Sequence, residues 1–241
     1  MYKLFSSIMV VQLIMLSCSH TISNANKVVD DHELTVIGAM RDVMWNGKLE
    51  GNFFWDTVMD KESIYGIGPL SFLKGEVLIW DGIPFVSTVQ PKDTSVLVEQ
   101  SDSVSSPFFV MAKVNNWLKV EIPSSVSTIQ QIDQFLLNSN FNNGNPFAFK
   151  LSGTVENAVY HIQNLPDGSR VSNPQQAHKG QVKYRLDQVE VDILGFFSQN
   201  HQGIFTHHDT YTHMHIISKD KKYMGHLDDL KIQNMNLYIP N

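Results

Sequence analysis

The feature that most constrains this chain is a run of histidines placed where a strand turns back on itself. Thr206 to His226 reads THHDTYTHMHIISKDKKYMGH and holds five of the ten histidines. His213 and His215 are separated by one residue inside TYTHMHII, a β-branched and aromatic run suited to a strand, and the two-residue period of a strand puts both imidazoles on one face. The polar run Ser218 to Lys222 reads as a turn. If it is centred between Asp220 and Lys221, antiparallel pairing sets His226 opposite His215 and Asp228 opposite His213, with cross-strand Cβ atoms roughly 5 Å apart. Three imidazoles at that spacing converge on one ion. Three neutral nitrogens that leave a fourth position open suit a catalytic Zn²⁺ better than a structural one. Hydrogen-bonded histidines on a half-buried strand would explain a lone His-x-His, but not the third histidine in register. His207 and His208 are adjacent and point to opposite faces of any strand, so at most one can join the site; they read as solvated loop residues.

The remainder of the chain supplies a scaffold. With 241 residues, 42% hydrophobic and 17% charged, it can bury one large core or two small ones and is not disordered. The net charge of −6 and the lack of a long Lys/Arg cluster argue against nucleic acid as a partner, since phosphate binding needs a concentrated basic face. Leu34, Ile37, Met40, Val43 and Met44 recur at helical spacing after Asp30-Asp31 and stop before Gly47, which predicts a first helix. A second is predicted over Thr128 to Leu137, with Ser127 and Gln130 as its capping box and Ile129, Ile132 and Leu136 as its apolar stripe. Gly75 to Trp80 and Phe108 to Val114 are strand-like, with Asn115-Asn116 as a hairpin turn into Trp117 to Ile122. From Phe147 onward strands and turns dominate. The layout is therefore α+β: a mixed sheet with helices in the N-terminal half, and a strand-dominated C-terminal half that carries the metal site. One domain over residues 33–241 is expected, with a sub-domain boundary placed near Asn140.

The N-terminus reads as an export signal over residues 1–17, with Lys3 in the n-region and Leu4 to Leu16 as an apolar stretch too short to span a bilayer. Met15-Leu16-Ser17-Cys18 resembles a bacterial lipobox, and Cys18 is the only cysteine. An exported chain with one cysteine has no disulfide use for it. This points to a lipoprotein anchored through Cys18 by a tether over residues 18–32, touching the membrane only through its lipid, with a secreted or periplasmic protein as the alternative.

Several blocks also carry a family resemblance. His-x-His followed by Gly225-His226-Leu227 resembles the zinc site of bacterial alpha-acetolactate decarboxylases. Tyr65 to Gly82 (YGIGPLSFLKGEVLIWDG), Ser106 to Val114 and Asn145 to Gly153 are similar to further blocks of that family, in the same order. The resemblance implies a mixed sheet followed by a β-rich zinc-bearing part. It also implies a carboxy-lyase that takes 2-acetolactate, or a close 2-hydroxy-3-keto acid, to acetoin and CO₂. Zn²⁺ held by His213, His215 and His226 would act as Lewis acid, and Glu76 of Gly75-Glu76 as the acid that protonates carbon. A homodimer is an assembly left open by the sequence. Two positions depart from the family pattern. His161 stands where the family has an arginine for the substrate carboxylate, and no glutamate follows Glu190, where the family carries a catalytic one. These departures leave a second reading, a non-catalytic exported metal- or ligand-binding lipoprotein on the same fold. A cupin-type oxygenase also uses His-x-His on a strand, but the glutamate it needs shortly afterwards is absent, with Asp220 nearest.

Overall fold

The computed structural model of the protein describes residues 33–241; the export signal, the tether and Cys18 lie outside the described residues. Strands β1 (Thr35–Ile37), β2 (Phe53–Phe54), β3 (Ile64–Pro69), β4 (Glu76–Trp80), β5 (Ile83–Val89), β6 (Val96–Gln100), β7 (Ser105–Ser106) and β8 (Phe109–Lys113) occupy the first part of the chain. Six of them form an antiparallel sheet in the order β1-β8-β3-β4-β5-β6, and β2 pairs separately with β7. Alternation within β4 shows why both faces are covered. Val77 and Ile79 pack with Phe53, Trp55, Phe109 and Met111 on one side, while Leu78 joins Tyr65, Ile67 and Val110 on the other.

The helical content of this region is smaller than its periodicity predicts. Thr35–Ile37 is a strand paired with β8, and helix α1 spans only Met40–Asn46. Gly38 divides the two: it adopts φ +67, and a Cβ there would meet the Pro107 carbonyl oxygen at 2.3 Å. Only glycine tolerates that turn. The expected terminator is present, since Gly47 caps α1 in the left-handed conformation.

The chain passes to a second sheet across Val114–Asn116. The expected hairpin at Asn115-Asn116 does not form, because β8 pairs within the first sheet and β9 (Trp117–Val120) pairs with β14 (Met224–Pro240) of the second. Between β9 and β14 come α2 (Ile129–Asn138), β10 (Phe147–Ile162), α3 (Pro174–Ala177), β11 (Val182–Asp187), β12 (Glu190–Phe197) and β13 (Thr212–Ser218). Helix α2 starts one residue later than expected. Thr128 is its N-cap and Gln131 completes the capping box, while Ile129, Ile132 and Leu136 are buried as the stripe requires. Long strands shape this sheet. β10 pairs with β12, β12 with β13, β13 with β14, and β14 again with β10, which closes a four-strand ring.

The protein is thus mostly strand with few helices, and the mixed sheet with N-terminal helices is not what forms. Period-two alternation wins over the short helical pattern in the first half. The two sheets meet face to face through Tyr65, Ile67, Leu78 and Val110 on one side and Ala148, Leu194, Phe196 and Ile217 on the other. The candidate site lies on those same inward faces.

Candidate metal centre

Strand β13 alternates with opposite tasks. Met214 and Ile216 enter the core shared with α2 and β10, whereas His213 and His215 lie on the same face as Ile217, which packs between the sheets. Across the hairpin His215 pairs with His226 and Ile217 with Met224, the register expected for a turn centred between Asp220 and Lys221. Gly225 lets β14 approach β10 there, since a Cβ would meet the His161 carbonyl oxygen at 2.4 Å. Asp228 does not reach His213. The register of β10 against β14 slips between Val159↔Asp229 and Tyr160↔Leu227, leaving Asp228 as the extra residue of a bulge. Its carboxylate instead accepts from His161, with Nδ1 and Oδ1 2.7 Å apart.

The three histidines converge. One ring nitrogen from each of His213, His215 and His226 lies within 4.8 Å of the others, and His213 Nε2 stands 3.1 Å from His226 Nδ1. All three are buried. Burial, reinforced by neighbouring histidines, pushes the pKa of His213 and His226 well below the ordinary value and that of His215 down to about 3. They are therefore neutral at physiological pH, the form that ligates metal. Both ring nitrogens of His215 and Nδ1 of His213 are buried without a hydrogen-bond partner. Buried polar atoms are seldom left so, and neutral, unsatisfied nitrogens in a tight group fit a borderline-soft divalent ion such as Zn²⁺.

Glu76, the first residue of β4, meets this cluster from the opposite sheet. It is 2% exposed, and its Oε2 lies 3.6 Å from His215 Nε2. Its Oε1 accepts the Gln163 backbone N–H at 3.1 Å. Burial raises its pKa well above the usual carboxylate value, against the lowering effect of that hydrogen bond. His161 is also brought in, its ring 4.6 Å from that of His226 between centroids. A cavity of about 160 Å³ opens over Glu76, His161, His213 and His226, with Phe108, Met40 and Met44 on its apolar side.

Several lining residues were not singled out as site residues in the sequence. Gln163, His178 and Lys183 carry no local motif, and His207, expected in solvent, lines the cavity with Nε2 3.4 Å from His226 Nε2. Its loop is docked on α1, whose Met40 and Arg41 N–H groups donate to the Ile204 and Gly203 carbonyls. His208 is exposed as expected. The signal for Lys183 was the pairing of β10 with β11, which sets it directly across from His161.

Comparison with known proteins agrees with this architecture. The sequence profile described as alpha-acetolactate decarboxylase matches residues 38–241. The alpha-acetolactate decarboxylase of Brevibacillus brevis is 28% identical over 179 residues, 72% of this chain but 58% of that protein. The chain thus spans less than two thirds of that relative's length. The Lactococcus lactis strain IL1403 protein is 24% identical, with 72% of this chain and 70% of its own length covered. The crystal structure of alpha-acetolactate decarboxylase from Bacillus subtilis strain 168 superimposes with a TM-score of 0.69 at 18% identity, covering 86% of this chain and 84% of that one. A Staphylococcus aureus protein of unknown function, described as similar to alpha-acetolactate decarboxylase, gives 0.69 at 17% identity, covering 86% and 85%. At such identities the structural likeness shows a shared fold.

Proposed function

The chain belongs to the alpha-acetolactate decarboxylase family, and from that membership we propose that it is a zinc-dependent carboxy-lyase converting 2-acetolactate, or a close 2-hydroxy-3-keto acid, to acetoin and CO₂. The observation that carries the reading is the convergence of three neutral imidazoles, His213, His215 and His226, beside the buried Glu76 carboxyl at the edge of a cavity that His213, His226 and Glu76 line. His213, His215 and His226 hold the metal in this reading. Bound there, zinc supplies Lewis-acid stabilisation of the negative charge that develops as CO₂ departs.

The chain's own residues do the rest. In this reading Glu76 is the proton donor: burial raises its pKa, and with Oε1 accepting the Gln163 N–H it is Oε2 that faces the imidazoles. A held proton at that place is what carbon needs once CO₂ has left. The substrate carboxylate is met from the β10–β11 side, where His161 and Lys183 are cross-strand neighbours and Lys183 is the only lysine among the cavity-lining residues. Phe108, Met40 and Met44 exclude water from the methyl groups.

A colourimetric acetoin assay on zinc-loaded protein, run beside elemental analysis, tests this. Acetoin production with one zinc per chain is expected. Zinc-replete protein that makes no acetoin would leave the non-catalytic binding lipoprotein. We also propose that the chain is exported and anchored through a lipidated Cys18; wild-type protein found wholly soluble with an unmodified cysteine would remove that part.

A further inference from the structure

Helix α1 presents two adjoining rows of side chains to the site. Met40 and Met44, four residues apart, share one face of the helix, and Arg41 and Trp45 form the next row round it. The first row lines the cavity that holds Glu76, His213 and His226. Both rows line a second cavity of about 210 Å³, closed by Pro174, Gly203 and His208. Met40, Met44, His178 and His207 are common to the walls of both, so the second cavity lies directly beyond the apolar side of the first.

The character of the second cavity follows from its rows. Met44 and Met40 are buried, whereas Trp45 is 59% exposed. An indole left so open keeps a large apolar face that a ligand can cover, and tryptophan gives much of its area to such contacts. Arg41 and His208, both exposed, make a polar rim. The wall between the cavities is able to yield, because methionine is unbranched and turns about three side-chain bonds with little cost in packing. In the decarboxylase reading the metal and the His161–Lys183 side take the oxygens of the substrate, and its carbon substituents face Phe108, Met40 and Met44. A substituent longer than methyl then extends past Met40 and Met44 into the second cavity.

We propose that the second cavity is a subsite for an extended apolar arm, so that the site takes 2-hydroxy acids carrying an unbranched alkyl chain, butyl or longer, in preference to their methyl counterparts, with Trp45 as the residue that determines the preference. The assignment rests on the decarboxylase reading for its 2-hydroxy acid headgroup. The arm itself is held by burial alone, and each methylene covered strengthens binding by about fourfold.

The test uses two non-reacting acids that differ only in the arm, 2-hydroxypropanoate and 2-hydroxyhexanoate, titrated calorimetrically into zinc-loaded protein. Three further methylenes should make wild type prefer the longer acid by about 10- to 50-fold, and Trp45→Ala should reduce the preference to within roughly 3-fold. Trp45 is a surface side chain, so the variant should keep the melting temperature of wild type. Equal binding of the two acids by wild type overturns the inference without any variant. An undiminished preference in folded, zinc-replete Trp45→Ala places the arm elsewhere and overturns it as well. Acetolactate turnover by the same wild-type preparation separates the two levels: no acetoin with the Trp45-dependent preference intact removes the decarboxylase reading and leaves a 2-hydroxy acid site with an apolar subsite, whereas normal turnover with no such preference removes only the subsite.

Discussion

The interface between the two sheets buries polar groups in two regions, and β4 contributes to both. At its last residue, Trp80, it helps enclose the ammonium of Lys150, which sits 4.1 Å from the ring centre of Trp117, 5.1 Å from Tyr65, 5.4 Å from Trp80 and 5.7 Å from Tyr238. At its first residue, Glu76, it faces the histidine cluster. Burial acts on both, lowering the pKa of Lys150 to about 8 and raising that of Glu76 well above normal. The difference lies in what answers each group. Ring faces attract the lysine charge electrostatically, so that charge is answered within the chain. Nδ1 of His213, both ring nitrogens of His215 and the Gln163 amide oxygen have no hydrogen-bond partner. In the histidine region the unpartnered atoms cluster around one point, as a ligand site requires.

The comparison breaks most visibly at the metal. His213→Ala should weaken zinc by more than the roughly 100-fold that loss of an outer hydrogen-bond partner costs, and abolish turnover while the fold persists; zinc content equal to that of wild type would refute the cluster as the metal centre. Glu76→Gln comes next. It should retain zinc and lower turnover by about 100-fold or more, and normal acetoin production would remove Glu76 as the acid.

Acidity sharpens the contrast inside the site, and the sign differs by residue. The histidine pKa values are depressed in the fold, so in metal-stripped protein their neutral forms contribute stability at neutral pH that is lost as pH falls below about 6.5 toward the folded value of about 3 for His215. The Glu76 pKa is raised, so its contribution is full below about 4.3 and is lost as pH rises through the folded value. Thermal melts of stripped wild type and Glu76→Gln should share the acid limb, and only wild type should carry the alkaline one. The smallest effect belongs to the aromatic region: Lys150→Met should cost about 1 to 2 kcal/mol of stability and leave zinc content and turnover in place. A loss of zinc in that variant would mean that the two regions are coupled.

What could be read in advance follows the same division. The histidine hairpin was legible because a period of two and one polar turn determine a register, and a slip by one residue would have turned every imidazole to the wrong face. The apolar stripe of α2 was legible for the analogous helical reason. Long-range geometry was not. Gly153 looks like a strand break, but β10 runs through it for 16 residues; the glycine is needed because a Cβ would meet the Asn234 carbonyl oxygen at 2.1 Å. The bulge that turns Asp228 to His161 depends on β14 accommodating β10, and no residue near Asp228 announces it. Gln163 and Lys183 acquire meaning only when strands far apart in sequence are laid together, and Asn115-Asn116, a good turn in isolation, is overruled by partners that belong to different sheets.

The hairpin has a further consequence for how the site is assembled. His213 and His226 are 13 residues apart in the chain, whereas the acid reaches Gln163 across 87. Closing a short loop costs less chain entropy and proceeds faster than docking a distant sheet. During folding, the three-histidine cluster is thus the local part, and its contact with Glu76 waits for distant chain to be brought together. A hairpin that closes before the sheets dock presents the three imidazoles before Glu76 reaches them.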